Sequence, residues 1–153
     1  MSRISVRAVL VSLGGAAVIG GVAVAGMASA TAPAQPAVDN ASARFVAPSG
    51  DTRGAFTFAA DVADDSGIEK LTVLAWPKAS GLDVTAEEME RVEEDAVCER
   101  VDDEKSTCAY TLRITEREAA EMERGEWKVS ALLTARDGGK RFVPEAATVT
   151  LDF

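Results

Sequence analysis

Histidine is missing from this chain of 153 residues, and cysteine occurs only twice. Histidine is the commonest general base near neutral pH, so its absence excludes a Ser-His-Asp triad, a Cys-His pair and a histidine-containing zinc site. The sequence also has no glycine-rich loop of the kind that binds phosphates. Most hydrolase mechanisms are thereby excluded, and we expect a protein that is not an enzyme and that has no cofactor.

Aromatic residues are also few, at 5% of the chain. A groove of several stacked rings, suited to sugars, cannot be built from so few. Trp76 and Pro77 end a predicted strand beside the short stretch 78–81. Two interpretations stay open: Trp76 forms a single exposed platform for a sugar or a peptide, or it packs beneath the first predicted helix.

Basic residues are outnumbered, with 16 against 25 acidic residues and a net charge of −9. This balance disfavours nucleic acids and anionic membrane surfaces as partners, because both repel a negative protein. The acidic residues lie largely in predicted helices and turns, where solvated charge is the ordinary state, so catalysis by paired carboxylates is not favoured. Solubility is the simplest interpretation of the charge.

Residues 1–30 have the three parts of an export signal. Arg3 and Arg7 form the positive end, an apolar run follows over 8–27, and small residues at 28–30 match a cleavage site. We therefore predict a cleaved signal peptide and a secreted, extracellular protein without membrane contact. The apolar run is also long enough to cross a bilayer, so an uncleaved N-terminal anchor is the alternative.

The part of the chain after the signal divides into two segments. Residues 31–43 are rich in Ala, Pro, Gln and Ser without periodicity, which predicts a flexible linker. The remaining segment, 44–153, has the length of one ordinary domain. We therefore expect a single folded domain behind the linker.

Apolar residues in the domain alternate with a period of two, which places them on one face of a sheet. Asp137-Gly138-Gly139 supplies the positive φ angles of a tight hairpin. Pro144 predicts that the last strand is broken, by a bulge or by running along an edge, with strands near 141–143 and 146–152. The pattern predicts an all-β core. The alternating positions are Phe56, Phe58, Ala60, Val62, Leu71, Val73, Ala75, Tyr110, Leu112, Ile114, Trp127, Val129, Ala131, Leu133, Ala147, Val149, Leu151 and Phe153.

Two short helices are predicted between the strands. Thr85 with Glu88, and Thr115 with Glu118, have the spacing of a capping box, in which a hydroxyl and a carboxylate each bond a backbone amide of the first turn. In the first helix, an apolar stripe is expected to lie on the sandwich. Its members are Met89, Val92 and Ala96.

Cys98 and Cys108 are expected to form one disulfide in an exported protein. The bond would close an acidic loop over 99–107 and contribute about 3 kcal/mol in the chain-entropy model. A structural staple is the simplest interpretation. The alternative is a secreted protease inhibitor, in which Arg100 or Lys105 of this loop would suit the specificity pocket of a trypsin-like enzyme.

Asp61, Asp64 and Asp65 surround the first predicted turn and could offer oxygens to Ca²⁺, which needs about six to eight of them. Their spacing does not match the EF-hand loop. Aspartate is also an ordinary turn former through bonds from its side chain to the backbone, and a turn without metal is the simpler interpretation.

From Tyr110 to Ala135 the order of residues resembles an immunoglobulin-like pattern, in which a strand leads through a short helical crossing to Gly-x-aromatic-x-apolar-x-Ala. In this resemblance Trp127 stands where many such domains have a corner tyrosine. The inter-sheet disulfide of immunoglobulin domains is absent, because Cys98 and Cys108 are too close in sequence to link those strands. The residues that carry the pattern are Leu112, Ile114, Gly125, Trp127, Val129 and Ala131, and residues 61–73 resemble the second and third strands of bacterial modules of this kind.

Taken whole, residues 43–153 resemble a family of uncharacterised secreted proteins of GC-rich Gram-positive bacteria. The resemblance implies an all-β fold, an immunoglobulin-like (Ig-like) β-sandwich of about seven strands with two short helices in the connections. It implies no activity. We expect a binding or structural role at or outside the cell envelope, with an unknown protein or a cell-wall ligand as partner.

Overall fold

The computed structural model describes residues 34–153. The predicted signal peptide lies outside the described residues. Seven strands, β1 to β7, cover Ala37–Val46, Gly54–Ala63, Ile68–Pro77, Val97–Arg100, Lys105–Ile114, Gly125–Ala135 and Lys140–Leu151. Helix α1 covers Ala86–Met89, helix α2 covers Glu116–Glu121, and a 3₁₀ turn covers Lys78–Ser80.

The strands form two antiparallel sheets. One has the order β1-β2-β5-β4, and the other has the order β3-β6-β7. A division into four and three strands in this order is that of the constant-type immunoglobulin sandwich. The predicted all-β, Ig-like sandwich of seven strands with two short helices is confirmed.

The main core lies between the two sheets. Strands β2 and β5 contribute from one side, and strands β3 and β6 contribute from the other. Most of the alternating positions predicted from the sequence contribute to this core, because successive side chains of a strand lie on opposite faces. Fully buried examples are Phe58, Leu71, Val73, Val129, Ala131 and Leu133.

A second buried layer lies on the outer face of the β3-β6-β7 sheet. Thr72, Ser130 and Leu132 alternate with residues of the main core, and all three are buried. Helix α1 lies against β3 and β6, and its Met89 is buried. Because α1 belongs to the connection between β3 and β4, this connection covers part of the face. The hydroxyl of Ser130, on the same face, donates to the carbonyl of Pro144 at 2.6 Å.

Pro144 lies where the pairing of β6 with β7 is irregular. Val129 pairs with Ala147 and Ala131 pairs with Val143, so the register shifts between them. A proline has no amide to donate, and a bulge accommodates it without losing the strand. The predicted break is therefore a bulge within one strand, Lys140–Leu151, rather than a division into two strands.

Strand β1 begins earlier than the composition indicated. Residues 37–43, which were assigned to a flexible linker, belong to β1 and pair with β2. A bulge between Asp39 and Ser42 allows the segment to continue, and Asn40 has a positive φ of 51° there. Composition within the segment does not predict this strand, because its hydrogen bonds come from β2, which lies farther along the chain.

Both predicted capping boxes are present. The amide of Glu88 donates to Oγ1 of Thr85 at 3.3 Å, and Thr115 with Glu118 repeats this geometry. Return bonds from the backbone and hydroxyl of each threonine lower the pKa of both glutamates. Each helix starts where the sequence predicts.

The apolar stripe predicted for the first helix is only partly correct. Helix α1 ends at Met89, so Val92 and Ala96 lie beyond it. The chain turns instead to the edge of β3, where the amide of Ala96 donates to the carbonyl of Leu71 at 2.8 Å. By pairing with the edge of β3, this segment satisfies backbone donors and acceptors of that strand.

Candidate functional site

Cys98 and Cys108 are bonded to each other, as predicted. They occupy directly opposite positions in the pairing of β4 with β5, so the bond crosses a β-hairpin rather than a wide loop. The hairpin turns at residues 101–104, and the backbone amide of Val101 donates to the carbonyl of Lys105 at 2.9 Å. Cys108 is buried in the main core. The disulfide therefore attaches the short β4 to the body of the domain.

Arg100 and Lys105 stand at the two ends of this turn. Nε of Arg100 donates to the carbonyl of Asp102 at 3.1 Å, and the guanidinium forms an ion pair with Asp103. The side chain of Lys105 takes part in no ion pair among the residues that the structure describes. The hairpin thus holds Arg100 against its own acidic tip.

Trp76 is buried, with 6% of its surface exposed. It lies in β3 on the same outer face as Thr72, which α1 helps to cover. An aromatic platform for a sugar or a peptide needs an open ring face, and Trp76 does not provide one. Of the two interpretations of Trp76, the structure supports burial over an exposed platform.

The three aspartates predicted to surround one turn do not form one cluster. The carboxylate of Asp61 accepts from Nδ2 of Asn40 at 2.9 Å and from Oγ1 of Thr107 at 3.2 Å. Asp64 and Asp65 lie instead with Asp137 of the turn between β6 and β7. The sequence predicts Asp137 only as a turn former, because nothing local indicates that the two turns meet.

An apolar opening lies at one side of the sandwich, between strands β5 and β3. We call it the open-side groove, and its volume is about 210 Å³. It combines side chains of both sheets with residues from the connection after α2. Its lining includes Phe56, Leu74, Tyr110, Leu112, Met122 and Trp127.

The groove is open because β4 is short. Strand β4 has four residues, and it pairs with β5 only over residues 106–109. Among the described residues, the rest of β5, at 110–114, pairs only with β2. We call residues 110–114 the β5 edge. Leu112 lies in this edge, and 46% of its surface is exposed.

A hydrogen bond closes one end of the groove. The hydroxyl of Tyr110 donates to Oε2 of Glu94 at 2.7 Å. Partial burial, together with the nearby Glu94 carboxylate, raises the pKa of Tyr110 to about 12, so the phenol stays neutral at physiological pH. The ring of Tyr110 also lies 6.3 Å from that of Phe56. Glu94 was not singled out from the sequence, because it lies far from Tyr110 along the chain.

Trp127 performs the role that the resemblance assigned to its position. Its indole Nε1 donates to the carbonyl of Glu123 at 2.8 Å. In immunoglobulin domains the corner tyrosine likewise bonds backbone a few residues upstream, near the start of the same strand. Trp127 therefore ties the end of the α2 connection to β6, beside the groove.

Replacing Trp127 by phenylalanine removes this donor and leaves an aromatic ring. We expect the free energy of unfolding to fall by about 1 kcal/mol, the usual net contribution of a hydrogen bond. Urea denaturation measures the change. Glu123→Gln is the control, because the bond uses the backbone carbonyl and should survive. Equal stability of the Phe variant and the wild type would contradict the assigned role.

No helix in the part of the chain that the structure describes is long and apolar enough to cross a membrane. No curated protein and no solved structure matches the chain at a significant level. A family model does match it, over residues 38–133, which span six of the seven strands in whole or in part. More than half of the chain is covered, and the protein therefore belongs to the DUF5707 family, a family of unknown function.

Proposed function

We propose that the protein is a secreted, non-enzymatic Ig-like domain that binds another protein through the open-side groove and the β5 edge. The occupant is an extended segment of the partner that pairs with the edge and places an apolar side chain in the groove. The observation that carries the proposal is the position of the edge directly beside the groove, with Tyr110 and Leu112 belonging to both.

The edge supplies a reason for binding. A strand without a second neighbour presents backbone donors and acceptors that an extended peptide can satisfy by adding one strand to the sheet. Residues 110–114 form such a strand among the described residues, because β4 ends its pairing at Ala109. Backbone pairing gives affinity, and the adjoining apolar groove gives preference for certain side chains.

The size of the groove favours a peptide over a small-molecule ligand. Its volume of about 210 Å³ is below the range of roughly 300–1,000 Å³ that is typical of small-molecule sites. Such a space suits one or two side chains of a longer segment. The whole chain has a net charge of −9, which favours a neutral or basic segment over an acidic one.

The composition of the groove supports a binding role rather than catalysis. Among the described residues its lining has one carboxylate, Glu94, and one phenol, Tyr110, and these are bonded to each other. General acid-base catalysis needs a proton donor or acceptor directed at a substrate. Turnover of any member of a hydrolase substrate panel by the purified protein would refute the non-enzymatic assignment.

Export is supported by the N-terminal sequence and by the disulfide. The bond between Cys98 and Cys108 suits an oxidising compartment, where disulfides persist. Protein from the culture medium should begin near Thr31 by N-terminal sequencing. A start at Met1 in the membrane fraction would favour the uncleaved anchor instead.

The protease inhibitor is the second candidate, and the disulfide-closed hairpin favours it because a rigid exposed loop is a frequent inhibitor device. Arg100 weakens this alternative, since its guanidinium is held by Asp102 and Asp103. A trypsin-like enzyme would need that side chain extended. Inhibition in a panel of such enzymes, lost in Arg100→Ala or Lys105→Ala, would establish the alternative and displace the groove as the principal site.

A peptide library displayed in extended form tests the groove. We expect selected sequences to share an apolar residue, and Leu112→Glu to reduce their affinity at least about tenfold, because the charge would be desolvated in the interface. Leu82→Glu is the matched control, since Leu82 is 60% exposed and lies outside the groove. Isothermal titration calorimetry measures both.

Failure to select any peptide, or equal binding by the two variants, would overturn the groove as the binding site. Backbone amide shifts in an NMR titration provide a second readout. They should concentrate at residues 110–114 if the peptide adds a strand there.

A further inference from the structure

Three carboxylates from two separate turns meet at one end of the sandwich. Asp64 and Asp65 belong to the turn between β2 and β3, and Asp137 belongs to the turn between β6 and β7. One carboxylate oxygen of each lies within 4.8 Å of the others. Folding therefore brings three like charges together, and none of the three forms an ion pair with a described Lys or Arg.

Asp64 provides a separate observation. Asp64 is buried, with only 3% of its surface exposed, and its Oδ2 has no hydrogen-bond partner among the described residues. Its other oxygen, Oδ1, accepts from the amide of Ser66 at 2.9 Å and from the hydroxyl of the same residue. A buried carboxylate oxygen without a partner is costly. A bound cation would give this oxygen a partner.

Hydrogen bonds from the backbone hold the two turns in place. The amide of Asp137 donates to Oγ of Ser66 at 3.1 Å, and the amide of Asp64 donates to the carbonyl of Glu104 at 2.8 Å. Oδ1 of Asp137 accepts from the amide of Gly139 at 2.8 Å. These contacts fix the two turns and use one oxygen of Asp137, and the other oxygen of Asp137 takes part in none of them.

The donor set indicates the class of ligand. It contains carboxylate oxygens only, without nitrogen or sulfur, and such a set suits a hard cation. Ca²⁺ accepts oxygen ligands in flexible geometry and completes its shell with water. An opening of about 140 Å³ lies beside Asp64 and Asp65 and is also lined by Glu104.

We propose that Asp64, Asp65 and Asp137 form a Ca²⁺ site that joins the β2–β3 turn to the β6–β7 turn. The ion gives the buried Oδ2 of Asp64 a partner and offsets the repulsion among the three carboxylates. This site is independent of the open-side groove. It differs from the candidate derived from the sequence, in which Asp61 stands in the place of Asp137.

Calcium titration of the purified protein tests the site. Extracellular modules bind Ca²⁺ with dissociation constants of about 0.1–1 mM, so 10 mM Ca²⁺ should raise the melting temperature by about 5 °C. Mg²⁺ at the same ionic strength should raise it less, because Mg²⁺ demands nearly ideal octahedral geometry. Isothermal titration calorimetry should give one ion per chain.

Two variants separate a specific site from general charge effects. Asp65→Asn and Asp137→Asn each remove one charge, and the second keeps an oxygen for the amide of Gly139. Both should lose the calcium response in melting and the calorimetric binding. Asp83→Asn removes one charge from an exposed aspartate outside the cluster and should keep both responses.

Two results would overturn the proposal. One is the absence of calorimetric binding and of any change in melting at 10 mM Ca²⁺. The other is a response that is not specific to calcium or to the cluster. Mg²⁺ would then reproduce it in full, or the Asp65 and Asp137 variants would share it with the Asp83 variant, and either outcome would indicate general screening of the acidic surface.

Discussion

Truncation of Leu133 to alanine is expected to lower the free energy of unfolding by about 3 kcal/mol. Leu133 is fully buried in the main core, and it pairs with the equally buried Leu71 across β6 and β3. The change removes apolar contacts between the sheets and leaves a cavity that a sandwich core cannot fully close. Urea denaturation of the purified protein measures the loss.

Leu82→Ala is the matched control for this prediction. Leu82 is 60% exposed, so the same atoms are removed from a position that is already in water. Its effect should remain within about 0.5 kcal/mol. Equal effects of the two substitutions would contradict a core located between the two sheets.

Removal of the disulfide is expected to have an effect of similar size. The double variant Cys98→Ala, Cys108→Ala should unfold with a free energy lower by about 3 kcal/mol, because the unfolded chain regains the entropy of the loop that the bond closes. Loss of the buried Cys108 sulfur from the core adds to this. Urea denaturation of the oxidised wild type and of the variant gives the difference.

Val97→Ala controls for general disturbance of β4, since Val97 lies next to Cys98 and is exposed. We expect it to change stability by less than about 0.5 kcal/mol. A double variant as stable as the wild type would mean that β4 needs no staple. In that case the short strand would be held by its ladder with β5 alone.

Much of the fold could be predicted from local sequence. The period of two identified most strands, since alternation along a strand places one set of side chains in the core. The Asp-Gly-Gly turn after β6 and the capping boxes at Thr85 and Thr115 also depend on residues only a few positions apart. The resemblance added Trp127, whose bond to the Glu123 carbonyl takes the place of a tyrosine corner.

The candidate sites could be predicted less well from the sequence. The open-side groove exists because β4 ends its pairing at Ala109, and the alternation in β5 looks the same whether or not a neighbour is present. Trp76 could be assigned neither to the surface nor to the interior, because its burial depends on the path of the chain after Pro77. The strand at 37–43 was missed for a related reason, since β2 supplies its hydrogen bonds.

The sequence by itself determined the all-β class, the start of each helix, the tight turns and the single disulfide, because these follow from the chemistry of neighbouring residues or from having only two cysteines. Tertiary structure alone decided which turns and edges meet. Asp137 joins Asp64 and Asp65, and Tyr110 bonds Glu94, through the packing of distant strands. Such contacts depend on strand order and register, which the whole set of strands determines together.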